Sequence, residues 1–151
     1  MSTDKKRTEG RPPTREFSAG GVVLRSDADR DGAEVLVIVP RGSRNLALPK
    51  GGADEGETLV QAATREVREE TGVTAEPMEE LGDVRYWYSR KRRRIFKTVT
   101  FWRFEYRSGD TADHDHEVED ARWVPVARAR RELSFPGERE MLERAVAALD
   151  R

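Results

Sequence analysis

Residues 51–73 read GGADEGETLVQAATREVREETGV, and this stretch says more about the chain than any other. Its second half places three carboxylates, Glu66, Glu69 and Glu70, at positions i, i+3 and i+4. In an α-helix these positions fall on one face, within an arc of roughly 100°. The sequence therefore predicts three converging carboxylates whose mutual repulsion favours a nearby cation.

The apolar pattern of the same helix indicates where these carboxylates point. Leu59 lies seven residues before Glu66, and hence only about 20° away around the helix axis. The carboxylates thus continue the apolar face, whereas a solvated acidic face would point the other way. Partly desolvated carboxylates suit a hard divalent cation such as Mg²⁺ or Mn²⁺. A solvated helix with Arg65 paired to Glu69 is the alternative that this stretch alone leaves open.

The fixed positions of this stretch resemble the Nudix box, the signature of the MutT-type pyrophosphohydrolases. The matching residues are Gly51, Glu57, Arg65, Glu66, Val67, Glu69, Glu70, Gly72 and Val73. The resemblance extends to segments 18–23, 48–50 and 123–125 and covers roughly residues 17 to 148. It implies an α/β fold, the Nudix α/β/α sandwich with a mixed β-sheet between helices, and water attack on a phosphoanhydride bond.

The resemblance also implies a role for each matched residue. The metal ligands would be Glu66, Glu69, Glu70 and the backbone carbonyl of Lys50. Arg65 would orient a carboxylate, and Glu57 would support the ligand set. The expected cofactor is Mg²⁺ or Mn²⁺, because such ions neutralise phosphate charge and lower the pKa of bound water.

The identity of the general base stays open at this point. Members of the family use either a box glutamate, here Glu69 or Glu70, or a carboxylate on a later loop. The candidate outside the box is Glu117, which lies in the acidic loop 113–120, six residues before Trp123. His114 and His116 in the same loop could titrate near neutrality or contact phosphate. The alternative is that this loop is simply solvated.

Cationic and aromatic side chains around the predicted site are candidates for substrate binding. They are Lys50, Arg44, Tyr86, Tyr88, Arg92 and Lys97. In a strand, Tyr86 and Tyr88 share one face, and one of them could stack on a base. The basic run 90–94 either tracks a polyphosphate chain or is a solvated hairpin tip.

The predicted substrate is a nucleoside diphosphate linked to another group, in first place a diadenosine polyphosphate. Segments 49–51 and 135–136 resemble bacterial diadenosine polyphosphate hydrolases of the family, which often have His where this chain has Gly52. The alternatives are a MutT-like diphosphatase of 8-oxo-dGTP and related triphosphates, and a hydrolase of inositol pyrophosphates or polyphosphate. A non-catalytic nucleotide sensor is the alternative from another class, and the intact box argues against it.

Composition bounds the remaining possibilities. The 151 residues have 38% charged side chains and a net charge of −1, which favours neither a nucleic-acid partner nor a membrane surface. The absence of Cys excludes disulfides and thiolate catalysis. We expect a flexible basic arm at residues 1–15, one domain at 16–151 and a cytoplasmic location. A homodimer is compatible with the sequence.

The pattern of apolar and turn residues predicts the order of the elements. Thr58 should cap the box helix and Gly72 should end it. Strands are expected at 22–24, 34–39, 46–48 and 123–126, a hairpin at 81–88 and 95–106 around 89–94, and a final helix at 137–149.

Overall fold

The computed structural model describes residues 13–26 and 32–149. Within these ranges lie six β-strands, three α-helices and a short 3₁₀ helix at Thr111–Asp113. The strands are β1 (Thr14–Ser26), β2 (Ala33–Pro40), β3 (Lys50–Gly52), β4 (Val73–Arg90), β5 (Arg93–Gly109) and β6 (Val118–Pro125). The helices are α1 (Leu59–Thr71), α2 (Val126–Glu132) and α3 (Pro136–Leu149). Residues 1–12 of the predicted basic arm lie outside the described residues, and β1 begins at Thr14.

The strands form one mixed sheet in the order β4-β5-β1-β2-β6, with the short β3 also paired to β1. β1 runs parallel to β5 and antiparallel to β2 and β3. The pairs β2–β6 and β4–β5 are antiparallel. The predicted mixed sheet is therefore confirmed.

Alternate side chains of β1 divide the core between the two faces of this sheet. Val23 and Phe104 pack with Val67 of α1 on one face. Val22 and Phe101 pack on the other face, where residues of α2 and α3 complete the cluster. Because all these side chains are buried, helices must cover both faces, and the predicted α/β/α layering is confirmed.

The box helix α1 begins and ends where its local sequence predicts. Thr58 Oγ1 accepts the Gln61 N–H at 3.2 Å, and the Gln61 side chain accepts the Thr58 N–H at 2.9 Å. This reciprocal pair satisfies two N–H groups that the helix itself cannot. Gly72 ends the helix with a left-handed φ of 76°, a conformation that glycine adopts without a steric penalty.

The predicted hairpin is confirmed, and its strands are longer than the apolar pattern indicated. β4 and β5 pair from Val73–Gly109 at one end to Arg90–Arg93 at the other. The two residues of the turn, Lys91 and Arg92, both have positive φ, of 50° and 67°. Two-residue turns of this handedness match the twist of the strands, although Asn-Gly is the usual sequence for them.

Two local predictions differ from the structure. Residues 46–48 do not form a strand, because only Ala47 bridges to Ile38. Helix α2 was not predicted, since its sequence VARARRE lacks a clear apolar stripe, and Val126 belongs to it rather than to the preceding strand. The final helix is confirmed. In the described part of the chain, no helix has the length and apolar character needed to cross a membrane.

Candidate active site

Glu66 packs directly against the backbone of β3. A Cβ atom placed on Gly51 would lie 1.4 Å from Oε2 of Glu66, so only glycine fits at this position. The Glu66 side chain is 15% exposed. Its burial raises the pKa to about 7, although the charge of Arg65 opposes this shift. The close approach of helix and strand thus holds a poorly solvated carboxylate at a fixed place.

Arg65 connects the loop before α1 with two carboxylates of the helix. It contacts both oxygens of Glu57 at 2.8 and 3.0 Å, and its Nη1 contacts Glu66 at 2.8 Å and Glu69 at 3.1 Å. Its Nη2 also donates to the carbonyl of Gly52 at 2.9 Å. Such a planar fork fixes the positions of several oxygens at once. Arg65 is therefore well placed to orient Glu66 and Glu69.

Glu57 is held in its ionised form by this network. Hydrogen bonds from Arg65 and from the backbone N–H of Asp54 lower the pKa of Glu57 to about 2. Hydrogen bonding with Glu57 in turn raises the pKa of Arg65 above its usual range. Glu57 thus supports Arg65 rather than contacting the helix carboxylates itself.

Glu70 occupies the most enclosed position of the three helix carboxylates that the sequence singled out. Its Oε1 accepts the backbone N–H of Lys50 at 2.8 Å. Burial raises the pKa of Glu70 to about 8, and the charges of Glu66 and Asp115 raise it further, whereas the Lys50 N–H opposes the shift. Glu70 therefore favours its protonated form at neutral pH when no cation is bound.

The chemistry of these donors fits a hard divalent cation. Poorly solvated carboxylates with pKa values raised to about 7 and about 8 favour the bound state when a metal ion replaces the proton. Among residues 13–26 and 32–149, no three acidic or histidine side chains are already arranged as a complete ligand set. Arg65 contacts one oxygen of Glu66 and one oxygen of Glu69, so each of these carboxylates has a second oxygen with which it could bind a metal ion.

The acidic loop after β5 brings a different carboxylate to the site than the sequence indicated. The N–H of Asp115 donates to the carbonyl of Glu69 at 2.9 Å, and its charge affects Glu70. Glu117 is exposed; its carbonyl accepts the N–H of Arg41 at 3.1 Å. Asp115 was missed because only the contact with α1, 46 residues away in sequence, distinguishes it from its acidic neighbours.

The two histidines of this loop differ in exposure. The ring Nδ1 of His114 lies 2.8 Å from the carbonyl of Asp115, and the side chain is half-buried. His116 is exposed, and its carbonyl accepts a hydrogen bond from Nε of Arg41. Arg41 thus holds the loop in place through the backbone carbonyls of His116 and Glu117.

Four of the predicted substrate-binding residues gather on the sheet face opposite α1. Nζ of Lys50 lies 2.8 Å from Oε2 of Glu138, and the Tyr88 hydroxyl donates to Glu16. Lys97 lies 6.0 Å from the centre of the Tyr88 ring, and burial lowers its pKa. Tyr86 lies 6.1 Å from Tyr88 between ring centres. The result is a polar, aromatic surface beside β3.

The remaining two predicted substrate-binding residues lie elsewhere. Arg44 is exposed in the loop after β2, and Arg92 is exposed in the hairpin turn. Neither takes part in the contacts described above.

Comparison with known proteins places the chain in a sequence family. The model described as NUDIX domain matches residues 14–145. A Mycobacterium tuberculosis protein that carries the name mutator protein MutT4 is 36% identical over 160 residues. An 8-oxo-(d)GTP phosphatase of Mycolicibacterium smegmatis is 37% identical over 136 residues. The alignments cover 97% and 85% of this chain, but only 64% and 41% of the respective relatives.

A solved structure supports the fold independently. An Ap4A hydrolase from C. elegans superposes on this chain with a TM-score of 0.68 at 22% sequence identity. The superposition covers 89% of this chain and 98% of that structure. At this identity the similarity concerns the arrangement of strands and helices.

Proposed function

We propose that this chain, which belongs to the Nudix family and has its α/β/α fold, is a metal-dependent pyrophosphohydrolase. The reaction is water attack on a phosphoanhydride bond of a nucleoside diphosphate linked to another group. The observation that carries the proposal is the pair of half-buried, poorly solvated carboxylates Glu66 and Glu70, held beside β3 with Arg65 and Glu69. Such a cluster is costly to fold unless a cation balances it.

The cation site would be formed by the same four groups that the resemblance to the Nudix box implies. These groups are the side chains of Glu66, Glu69 and Glu70 and the backbone carbonyl of Lys50. When bound, Mg²⁺ or Mn²⁺ would neutralise charge on the phosphate oxygens and acidify a water molecule. Arg65 positions two of the carboxylates, and Glu57 keeps Arg65 in place.

Proton removal from the attacking water has two kinds of candidate. Glu69 and Glu70 belong to the box, and Glu117 and Asp115 belong to the loop after β5. Asp115 is favoured over Glu117 because its backbone N–H binds the Glu69 carbonyl and its carboxylate charge raises the pKa of Glu70. Comparison of Asp115→Asn with Glu117→Gln separates them, since loss of the base lowers kcat and removes the acidic limb of its pH profile.

The first candidate substrate is a purine nucleoside triphosphate of the 8-oxo-dGTP type. This order reverses the one suggested by the sequence, because a relative that aligns with 85% of this chain is named an 8-oxo-(d)GTP phosphatase. The diadenosine polyphosphates are the second candidate. The observation that favours them is the clustering of Tyr86, Tyr88 and Lys97 beside Lys50, which could hold a base and additional phosphates.

A competition between substrates tests the proposal. The values of kcat/KM for 8-oxo-dGTP, dGTP, diadenosine tetra- and pentaphosphate, ADP-ribose and inositol pyrophosphate would be compared with Mg²⁺ present. We expect 8-oxo-dGTP to exceed the other substrates by at least about tenfold. A preference for the diadenosine compounds would support the second candidate. Binding without hydrolysis of any substrate would instead indicate a nucleotide sensor.

A further inference from the structure

Glu138 is a buried carboxylate of α3 that binds outside its own helix. It is 3% exposed and stands in the first turn of the helix. A glutamate near a helix start commonly accepts an N–H of that start. Here Oε1 accepts the backbone N–H of Leu48 at 2.8 Å, and Oε2 pairs with Nζ of Lys50 at 2.8 Å. Both oxygens therefore hold the segment that leads into β3.

The neighbouring residues hold the same segment. The N–H of Ser134 donates to the carbonyl of Leu46 at 2.9 Å, and Oγ of Ser134 accepts the N–H of Leu46 at 2.9 Å. On the other side of the segment, the carbonyl of Pro49 accepts the N–H of Gly21 at 3.1 Å. Residues 134–138 thus contact the alternate residues Leu46, Leu48 and Lys50. The first part of this segment, 46–48, was predicted as a strand.

The start of α3 is itself held in place by the sheet. A Cβ atom on Gly137 would lie 2.6 Å from Cγ1 of Val84, which leaves no room between the helix and β4. Glu138 therefore lies at the start of a helix that is closely packed against the edge strand β4.

Lys50 connects this anchored segment to the proposed metal site. Its side chain pairs with Glu138, while its backbone N–H donates to Oε1 of Glu70 at 2.8 Å. Its carbonyl is one of the proposed metal ligands. Lys50 thus links α3 to two groups of the site. These are its own N–H, which binds Glu70, and its own carbonyl, which is a proposed metal ligand.

A contribution to the stability of the fold is a poor explanation for the ion pair between Glu138 and Lys50. The Glu138 and Lys50 side chains are 5% and 23% exposed, and desolvation of two charges offsets much of their attraction. An apolar pair of similar volume would often stabilise a fold equally well. The contacts of both Glu138 oxygens with one segment favour a role in placing Lys50.

We propose that Glu138 is a positioning residue for the metal site. By fixing Leu48 and Lys50, it sets the position of the Lys50 carbonyl and of the N–H group that binds Glu70. This inference rests on the proposed function and adds to it a residue far outside the box, on the last helix.

Glu138→Gln is the most informative substitution. The amide oxygen can still accept the Leu48 N–H, so the fold should persist, but the ion pair with Lys50 is lost. Residues that orient metal ligands typically change metal affinity or activity by roughly 10- to 100-fold when replaced. We expect the Kd for Mn²⁺ to rise about tenfold and kcat to fall by a similar factor.

The experiment measures Mn²⁺ binding by electron paramagnetic resonance, kcat and KM for the best substrate of the panel, and far-ultraviolet circular dichroism. The matched control is Glu143→Gln, an exposed glutamate of the same helix that pairs with Arg130. The double variant Lys50→Met/Glu138→Gln should be no worse than Lys50→Met alone, because Glu138 acts through Lys50.

The outcomes separate the inference from the proposed function. Weaker Mn²⁺ binding and lower kcat in Glu138→Gln, with a native spectrum and an unaffected Glu143→Gln, would support the inference. Unchanged Mn²⁺ affinity and kcat would overturn it and leave the proposed function intact. Absence of both Mn²⁺ binding and hydrolysis in the unmodified protein would overturn the proposed function, and the inference with it.

Discussion

At the residue scale, the burial of Glu70 makes the stability of the metal-free protein depend on pH. The pKa of about 8 means that the folded protein retains a proton which the unfolded chain releases near the ordinary value of 4.5. The folded state binds more protons between these two values, so its stability falls as pH rises through this window. Glu66, with a pKa of about 7, adds to the same trend.

Glu70→Gln should therefore stabilise the metal-free protein. The glutamine carbonyl can still accept the Lys50 N–H, but no charge has to be buried. In EDTA at pH 8 we expect a Tm at least about 3 °C above that of the unmodified protein, with the difference shrinking towards pH 4.5. Mg²⁺ should raise the Tm of the unmodified protein and leave that of Glu70→Gln nearly unchanged. Thermal denaturation at pH 5, 6.5 and 8 checks this, and an equal or lower Tm for the variant at pH 8 would refute it.

Gly51 offers a second prediction at this scale. In Gly51→Ala the new methyl group would occupy the position of the Glu66 carboxylate, so Glu66 must leave its contact with Arg65. We expect kcat to fall by at least about 100-fold, since such a displacement misplaces a ligand. The control is Gly52→Ala, because a Cβ there meets no atom within 4 Å. Steady-state kinetics of both variants should differ sharply, and similar losses would contradict the geometry.

At the element scale, the β4–β5 hairpin carries strain in its turn. Lys91 and Arg92 both adopt a left-handed conformation, which costs L-residues with a side chain roughly 1–2 kcal/mol each. Substitutions that replace Arg92 in this turn also probe its predicted contact with substrate, because they remove its charge.

Lys91→Asn/Arg92→Gly should relieve this strain. We expect the free energy of unfolding to rise by about 1 kcal/mol, because Asn-Gly favours this turn. Urea denaturation measures the change, and Lys91→Ala/Arg92→Ala is the control that removes both charges without relieving the backbone. If both double variants were equally stable, the turn would not be strained. A rise in KM shared by both would support Arg92 as a substrate contact.

Local elements were predictable from sequence where their signals were local. Thr58, Gly72 and the apolar face of α1 lie within one stretch, so capping and periodicity fixed the box helix. The segment 46–48 misled the prediction because its apolar residues are held by a bridge to Ile38 and by Ser134, 88 residues after Leu46. Apolar composition alone cannot distinguish such a segment from a strand.

At the scale of the whole molecule, the site was predictable only in part. The box named Glu57, Arg65, Glu66, Glu69 and Glu70, and the structure brings all five together. Asp115 and Glu138 reach the same region through contacts across the sheet and loops. No spacing in the sequence connects them to α1. The predicted homodimer and cytoplasmic location stay predictions.

The central claim is that the box carboxylates form a metal-dependent hydrolytic site. The most direct test is the rate of hydrolysis of the best substrate of the panel, measured with Mg²⁺ and with EDTA, for the unmodified protein, Glu66→Gln and Glu143→Gln. We predict turnover only with Mg²⁺, a loss of at least about 100-fold in Glu66→Gln and normal turnover in Glu143→Gln. Turnover in EDTA, or a Glu66→Gln variant as active as the unmodified protein, would contradict the claim.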